Sequence, residues 1–174
     1  MTFAQRIKGA LVLDVNTFEE IEADATANGQ ALVVVVAASV AAGLGTWFLL
    51  GTLGVIRETV AALIGWVMWA AVTYVIGTRL LPEPQTRTDM GELLRVIGFA
   101  YAPNLFTFFA FIPGLGVAVR TVVAFWLLGA TVVAVRQALD YTSTWRAVGV
   151  CLIGWAIAIA VPAMVILLND NAAR

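Results

Sequence analysis

Apolar residues are concentrated in five runs of about twenty positions each, and short polar connections separate these runs. The runs cover residues 31–53, 59–81, 93–112, 115–135 and 147–168. A helix rises about 1.5 Å per residue, so each run is long enough to cross a hydrocarbon core about 30 Å thick. Because backbone polar groups cannot stay unpaired in lipid, each run is expected to be helical. The pattern therefore predicts an all-α, polytopic membrane protein with a bundle of five transmembrane helices.

The polar N-terminal part, residues 1–29, has the periodicity of a short cytoplasmic amphipathic segment. Its first apolar residues recur every four positions, as in a helix that lies at a membrane surface. A second helix is expected to begin at Thr17, whose hydroxyl can cap it, and to end at the Asn-Gly pair of residues 28–29. The remaining residues, 30–174, form the predicted five-span domain. Within it, the chain is expected to turn at Gly51 and Gly54, and Asp89 is expected to cap the third span, with Glu92 three residues on.

One part of this segment is a candidate surface for a protein partner. Its residues are Phe18, Glu19, Glu20 and Ile21. A helix here places Phe18 and Ile21 on one face, with Glu19 largely off it. Two hypotheses follow. The segment is either a brace against the bundle or a docking surface for a membrane or cytoplasmic protein.

The distribution of basic residues predicts the orientation in the membrane. With five spans, the two termini lie on opposite sides. The N-terminal side carries Arg6, Lys8, Arg79, Arg87, Arg95, Arg136 and Arg146, and the other side carries Arg57, Arg120 and Arg174. Basic residues near span ends stay in the cytoplasm, so the N-terminus is expected to be cytoplasmic and the C-terminus extracytoplasmic. The Ala- and Val-rich composition favours a bacterial cell (inner) membrane.

Composition excludes several classes of function. Hydrophobic residues make up 61% of the chain and charged residues 12%, and histidine is absent. The single cysteine, Cys151, lies within a predicted span, so neither an intrachain disulfide nor a His/Cys metal site is expected. Without histidine or paired acids at mid-membrane, we expect no catalytic residues and no cofactor. No basic tract is present to bind nucleic acid. The lipid bilayer is the first expected partner.

The third predicted span contains a candidate polar site at a kink. Pro103 lies near mid-membrane, where its ring interrupts helical hydrogen bonding and frees a carbonyl group. Tyr101, Asn104 and Thr107 lie along one side of the same helix, and Pro162 predicts a second kink in the fifth span. These residues either line a polar pocket or gate, or form hydrogen bonds between helices that fix the packing.

Charged residues mark the ends of the predicted spans. On the outer side, Arg120 lies about one turn inside the fourth span, and Glu58 is its expected partner. On the cytoplasmic side, a candidate network comprises Arg79, Glu92, Arg95, Arg136 and Asp140. The Glu92–Arg95 and Arg136–Asp140 spacings allow pairing within one helix. Each group either stabilises the bundle or serves a function. The outer charges would then form a gate or an anion site, and the inner network would bind a partner or a lipid headgroup.

Three segments, residues 13–21, 91–103 and 134–141, carry a resemblance to a known family. On these segments the chain resembles the Yip family of membrane proteins, first known as Ypt/Rab-interacting, and especially its short bacterial branch. The resemblance implies five spans, a cytoplasmic N-terminus and an external C-terminus. Eukaryotic members are associated with Rab-type GTPases. This chain lacks their Asp-Leu-Tyr-Gly-Pro motif and has Gly98-Phe99 in place of their Gly-Tyr pair, so no GTPase-contact residue is carried over.

Two functions from different classes fit these observations. The leading hypothesis is a non-enzymatic membrane scaffold or adaptor of the Yip type. The alternative is a small transporter, channel or lipid-translocating bundle that uses the polar site at the kink, although no inverted repeat is apparent. Small residues spaced like Ala37, Ala41 and Gly45 allow helices to approach closely within one chain or between copies. A homo-oligomer is therefore compatible with the sequence.

Overall fold

The computed structural model describes residues 1–157, without the side chains of residues 48–50. These residues are predominantly helical, and no strand occurs among them. The helices long and apolar enough to cross a membrane are Ala27–Leu44, Gly51–Leu80, Met90–Phe111 and Gly116–Ala138, and a shorter apolar helix, Thr144–Ile157, follows them. The predicted all-helical membrane class is therefore confirmed. The fifth predicted span, 147–168, extends beyond residue 157, and its full length lies outside the described residues.

The helices of the described part are numbered in chain order. They are α1 (Phe3–Leu11), α2 (Val15–Ala23), α3 (Ala27–Leu44), α4 (Trp47–Val75), α5 (Met90–Ala100), α6 (Gly116–Ala138) and α7 (Thr144–Ile157). A π-helical turn, Ile76–Leu80, continues α4, and a 3-10 helix, Ala102–Phe111, continues α5. Long 3-10 and π segments are uncommon in proteins, so both mark places where a span departs from regular α geometry.

Helices α1 and α2 form a hairpin, here called the N-terminal hairpin, whose turn is closed by backbone hydrogen bonds. The Leu13 N–H donates to the Ala10 carbonyl oxygen at 3.2 Å, and the Asp14 N–H donates to the Gly9 carbonyl oxygen at 2.9 Å. This pair of bonds is a Schellman motif. Leu13 occupies its left-handed position with a φ of 60°, and its side chain packs against α6 at Gly129.

Asp14 caps α2, so the predicted start of this helix at Thr17 is wrong. The Asp14 carboxylate accepts hydrogen bonds from the Thr17 N–H at 3.0 Å and from the Thr17 hydroxyl at 2.6 Å. Aspartate is a stronger helix cap than threonine, and Thr17 is instead buried against Gly9 of α1. The predicted end at residues 28–29 is also wrong, because α2 ends at Ala23 and that pair lies in the first turn of α3.

The first span ends at Leu44, earlier than the predicted residue 53. A Cβ atom on Gly45 would lie 2.4 Å from the Thr107 carbonyl oxygen, so a glycine is needed where α3 meets the 3-10 helix. Within α4, the chain changes direction at Gly51, which has a φ of 61° and was predicted as a turn position. The residues between these two glycines are mostly apolar, so hydropathy does not reveal where the span ends.

The third span begins and bends where local chemistry predicts. The Asp89 carboxylate accepts a hydrogen bond from the Glu92 N–H at 2.8 Å, and the Glu92 carboxylate accepts one from the Asp89 N–H at 2.8 Å. This capping box confirms the predicted start. The α-helix ends at Ala100, and Pro103 lies in the first turn of the 3-10 helix that continues it. Proline fits there because a first-turn N–H has no partner within the helix.

Helix α3 lies at the centre of the described bundle and packs against α4, α5 and the 3-10 helix, whereas α6 packs against the 3-10 helix, α5 and α2. The N-terminal hairpin completes this packing. Phe18 and Ile21 of α2 are 0% exposed, and they share one core with Val34, Leu93 and Phe99. The N-terminal segment is therefore part of the helical core.

Candidate functional site

Arg95 of α5 caps the C-terminal end of α2. Its Nε donates to the Ile21 carbonyl oxygen at 3.0 Å and to the Glu22 carbonyl oxygen at 2.7 Å, and its Nη2 also donates to the Glu22 carbonyl oxygen. The residue is only 5% exposed. A cation here pairs with carbonyl groups that lack partners within the helix and interacts favourably with the helix dipole. Arg95 therefore fastens the N-terminal hairpin to a candidate membrane span.

Helix α6 makes two further attachments to the N-terminal hairpin. The Trp126 indole N–H donates to the Leu11 carbonyl oxygen at 2.8 Å, and the Gln137 amide donates to Glu19 Oε1 at 2.9 Å. Leu11 is the last residue of α1, so its carbonyl group has no partner within that helix. Trp126 lies near the middle of α6 and Gln137 near its end. The hairpin therefore runs along the C-terminal half of α6.

Arg6 of α1 holds the open end of the hairpin through an ion-pair cluster. Its guanidinium group donates to the Glu20 carboxylate at 2.7 and 2.9 Å, to the Asp24 carboxylate at 2.5 Å and to Gln30 Oε1 of α3 at 2.9 Å. Hydrogen bonding to Arg6 lowers the pKa of Glu20 to about 2. Bonds from Thr26 and Arg6 lower the pKa of Asp24 to about 2. This cluster joins α1, α2 and α3.

The connection between α4 and α5 is bonded to the connection between α6 and α7. The Tyr141 hydroxyl donates to the Leu81 carbonyl oxygen at 2.8 Å. The Glu83 carboxylate accepts bonds from the Thr142 N–H at 3.1 Å and hydroxyl at 3.0 Å, and it pairs with Arg146 at 3.1 Å. The bond from the Thr142 N–H is the main reason that the pKa of Glu83 is lowered. These contacts hold both connections at the end of the bundle where α2 is capped.

A polar cavity of about 590 Å³ lies between α2 and these connections, and its charged lining residues are Glu19, Glu22, Arg136 and Asp140. Burial raises the pKa of Glu22 to about 7, and the negative charges of Asp140 and Glu92 contribute to the shift. The described residues contain no cluster of acidic, Cys or His side chains that could hold a metal ion. The cavity therefore concentrates negative charge beside the hairpin.

Only part of the predicted cytoplasmic network pairs as expected. Arg95 and Glu92 lie 3.8 Å apart. Arg136 donates to the carbonyl oxygens of Tyr141 and Thr142 at 3.2 and 3.4 Å. No Arg136–Asp140 pair occurs in the described part of the chain, because α6 ends at Ala138 and Asp140 adopts a left-handed φ of 53°. Arg79 is exposed, and no salt bridge to it occurs among the described residues.

The predicted partner surface is divided between buried and exposed residues. Phe18 and Ile21 are fully buried, so neither presents side-chain surface to a partner in this conformation. Glu20 is held by Arg6 and by the N-terminal amine of Met1, which is 2.8 Å away. Glu19 is exposed. Of the four predicted residues, Glu19 alone keeps a carboxylate on the exposed face of α2.

The residues of the predicted kink site make bonds within their own helix. The Asn104 N–H donates to the Tyr101 carbonyl oxygen at 2.9 Å, and the Thr107 hydroxyl donates to the Asn104 carbonyl oxygen at 2.5 Å. Pro103 is buried, and Pro162 lies outside the described residues. The local hydrogen bonding thus satisfies the backbone around the change from α to 3-10 geometry.

Tyr101 also lines a separate cavity of about 530 Å³ between α4, α5, α6 and α7. Trp69 and Trp155 line it as well, with ring centroids 6.2 Å apart, and most of the other lining residues are apolar. Neither Asn104 nor Thr107 belongs to this lining. Of the three polar residues that the helical spacing placed on one side, Tyr101 therefore lines this cavity and the other two do not.

The predicted outer charge pair is not formed in the described part of the chain. Glu58 lies 4.0 Å from its neighbour Arg57, and Arg120 is exposed. Their helices make little contact with each other, since α4 packs mainly against α3 and α5, and α6 packs against the 3-10 helix, α5 and α2. The pairing failed as a prediction because sequence does not show which spans are adjacent.

Sequence reasoning missed Arg6, Glu22 and Asp24, as well as the attachment through Trp126. Arg6 is 3% exposed, and its position among apolar residues of α1 is the one available hint that it is buried. Its carboxylate partners follow at least fourteen positions later, on a separate helix. Local patterns cannot identify such partners, because the hairpin turn and the packing against α6 decide which groups meet.

Together, the fold and this site define a helical membrane protein whose N-terminal hairpin is built into its bundle. The chain matches the family model for the Yip1 domain over residues 9–165. Because the match covers most of the chain, the protein belongs to the Yip1 domain family, and the resemblance seen in three sequence segments is confirmed. Searches of curated proteins and of solved structures each gave no match.

Proposed function

We propose that this protein is a non-enzymatic membrane scaffold or adaptor of the Yip type, which recruits a protein partner through its N-terminal hairpin. The proposal includes five spans, a cytoplasmic N-terminus and an extracytoplasmic C-terminus in a bacterial cell membrane. The bias of basic residues towards the N-terminal side supports this orientation. The apolar faces of the spans contact the bilayer.

The observation that carries the proposal is the attachment of α2 to the bundle. Burial of Phe18 and Ile21, the Arg95 cap and the Gln137–Glu19 bond hold α2 in one position. A helix that is already ordered loses little conformational entropy when a partner binds it. An exposed helix face of this kind is therefore suited to recognition.

The proposed contact surface is the exposed face of α2. Val15 is 37% exposed, and Asn16 and Glu19 are also exposed. Glu19 lies four positions after Val15 and three after Asn16, so it adjoins both of them on the helix surface. The surface combines a small apolar residue, an amide and a carboxylate, and it suits a partner that presents a basic side chain beside an apolar one.

Purification of the full chain from native membranes in a mild detergent, with mass spectrometry, tests this proposal. We expect a stoichiometric protein partner whose recovery falls at least about tenfold in the Asn16→Lys, Glu19→Lys double variant. Glu20→Lys is unsuitable, because it would break the Arg6 cluster that stabilises the hairpin. Glu19→Lys gives up only the bond from Gln137, and Gln137→Ala, which removes that bond without reversing a charge, should keep the partner. Glu58→Lys, at a distant partly exposed site, is the matched control. A partner that is absent, or retained fully by the double variant, would contradict the proposal.

A small transporter, channel or lipid-translocating bundle is the second candidate. The cavity beside Tyr101, Trp69 and Trp155 favours it, and its largely apolar lining suits a lipid chain better than an ion. Reconstituted vesicles carrying a fluorescent lipid test this candidate. Translocation that is lost in Tyr101→Ala but kept in Asn104→Leu, which lies outside the cavity lining, would support it if both variants fold. The scaffold proposal predicts that no translocation occurs above that of empty vesicles.

A further inference from the structure

The carboxyl groups of Glu19, Glu22 and Asp140 line the polar cavity where α2 contacts α6, and that of Glu92 lies on α5, 3.8 Å from Arg95. Glu19 and Glu22 come from α2, Glu92 from α5 and Asp140 from the connection after α6. Glu22 is only partly exposed. The negative charges of Asp140, Glu92 and Glu19 oppose its ionisation, and the positive charge of Arg95 favours it by a smaller amount than Asp140 or Glu92 opposes it. Like charges at a partly buried contact destabilise it, because solvent screens them less than at an open surface.

The two cations of this region are directed mainly at backbone groups. Arg95 donates to the carbonyl oxygens of Ile21 and Glu22 and reaches the Glu92 carboxylate only at 3.8 Å. Arg136 donates to the backbone of the connection after α6. Neither guanidinium group forms a salt bridge to Glu22 in the described chain. The carboxyl group of Glu22 can therefore lower its electrostatic cost by binding a proton.

We propose that Glu22 is a pH-sensitive latch for the N-terminal hairpin. When Glu22 is protonated, α2 stays docked against α5 and α6. When Glu22 loses its proton, repulsion from Glu19, Glu92 and Asp140 loosens α2 at its capped end. Regulation of partner binding by the exposed face of α2 would follow from this latch, and that consequence rests on the proposed function. Docking of α2 can be measured without a partner.

The direction of the pH response follows from the docked and undocked states. Burial and neighbouring carboxylates raise the pKa of Glu22 from its ordinary value of 4.5 to about 7 in the docked state. The docked state therefore binds the proton more tightly than the undocked state. The contribution of Glu22 to docking is therefore largest below about pH 4.5 and is lost as the pH rises through about 7. The latch thus responds close to neutral pH.

Electron paramagnetic resonance distance measurements on the full chain in lipid nanodiscs test the latch. Spin labels are placed on cysteines at Ala23, in the last turn of α2, and at Ala118 of α6, which are both exposed, and Cys151→Ala removes the native thiol. We expect one narrow distance distribution at pH 5.5 and a second, broader population at pH 8. The undocked fraction should rise by about tenfold or more between these conditions.

Glu22→Gln keeps the size of the side chain and mimics its protonated form, so this variant should stay docked at both pH values. Asp140→Asn should weaken the response, and asparagine tolerates the left-handed backbone at this position. Glu58→Gln, far from α2, is the matched control and should respond like the parent chain. A parent distribution that does not change with pH, or a Glu22→Gln variant that keeps the full response, would overturn the latch. Either result leaves partner binding by the face of α2 open to its own test.

Discussion

Two buried arginine side chains hold the N-terminal hairpin in place. Arg95 is 5% exposed and Arg6 is 3% exposed, yet each has enough acceptors to offset the cost of burying its charge. Arg95 uses carbonyl oxygens at a helix end, while Arg6 uses two carboxylates and an amide. Removing either cation should therefore destabilise the hairpin far more than removing an exposed arginine.

Arg95→Met should lower the free energy of unfolding by about 2–3 kcal/mol, because the carbonyl groups of Ile21 and Glu22 lose charged hydrogen bonds. Arg79→Met is the matched control. Arg79 is exposed at the end of the π-helical turn, so we expect a change within about 0.5 kcal/mol. Denaturant unfolding in detergent micelles measures both values. Equal stability of the two variants would show that the cap on α2 contributes nothing.

The Arg6 cluster predicts a loss of stability in acid. The pKa values of Glu20 and Asp24 are lowered to about 2 from ordinary values of 4.5 and 3.8. Groups with lowered pKa values stabilise the folded state above their ordinary values, and this contribution disappears as the pH falls towards 2. Thermal unfolding between pH 5 and 2 should therefore show a steeper decline in the parent than in Glu20→Gln. Identical slopes would exclude Glu20 from the response.

Helix-to-helix contacts depend on glycines at a few close approaches. At Gly45, where α3 meets the 3-10 helix, a Cβ atom would lie 2.4 Å from the Thr107 carbonyl oxygen. That neighbour belongs to the backbone and cannot rotate away as a side chain can. The contact between these elements should therefore tolerate no side chain at this position.

Gly45→Ala should lower the free energy of unfolding by about 1–3 kcal/mol, since α3 and the 3-10 helix must move apart. Gly29→Ala in the same helix is the matched control, because no atom lies within 4 Å of the position that its Cβ would occupy. Alanine favours helix formation there, so a gain of about 0.5–1 kcal/mol is expected. Thermal unfolding measures the stability of both variants. A Gly45→Ala variant as stable as the parent chain would contradict the close contact.

The elements that could be predicted from sequence are those set by local chemistry. Asp89 and Glu92 form the expected capping box, and Gly51 turns the chain as expected. The start of α2 was missed because Asp14 and Thr17 are both possible helix caps. Asp14 is the stronger cap, and Thr17 is buried against Gly9. The end of α3 at Leu44 was missed because the residues that follow it are mostly apolar, so hydropathy does not mark where the helix ends.

The candidate site was harder to predict, because its residues meet across long stretches of sequence. Arg95 was recognised as a member of a charged network, but its bonds to α2 join residues 73 and 74 positions apart. No periodicity or spacing rule extends that far. Only the three-dimensional order of the helices shows that Glu22 faces Asp140, and sequence alone suggested neither group as a partner of the other.

The hairpin as a whole combines two opposite responses to pH. Ionised Glu20 and Asp24 stabilise it above their lowered pKa values, whereas ionised Glu22 destabilises it as the pH approaches 7. The hairpin should therefore be most stable at mildly acidic pH. Both responses act at the same end of the hairpin, because the Arg6 cluster, the Arg95 cap and Glu22 all lie at the C-terminal end of α2. The Arg6 cluster therefore limits how far deprotonation of Glu22 can loosen α2 across the neutral range.

The arrangement of the whole molecule in the membrane can be tested through its termini. The basic residues predict a cytoplasmic N-terminus, and an odd number of spans then requires an extracytoplasmic C-terminus. A reporter active only in an oxidising compartment should be active when fused after Arg174 and inactive when fused before Met1. The matched control is a fusion after Thr142, in the connection between α6 and α7, which should be inactive because four spans return the chain to the cytoplasm. Activity at Thr142 would reverse the orientation. Inactivity at both Thr142 and Arg174 would instead leave an even number of spans, with the apolar segment that begins in α7 failing to cross the membrane.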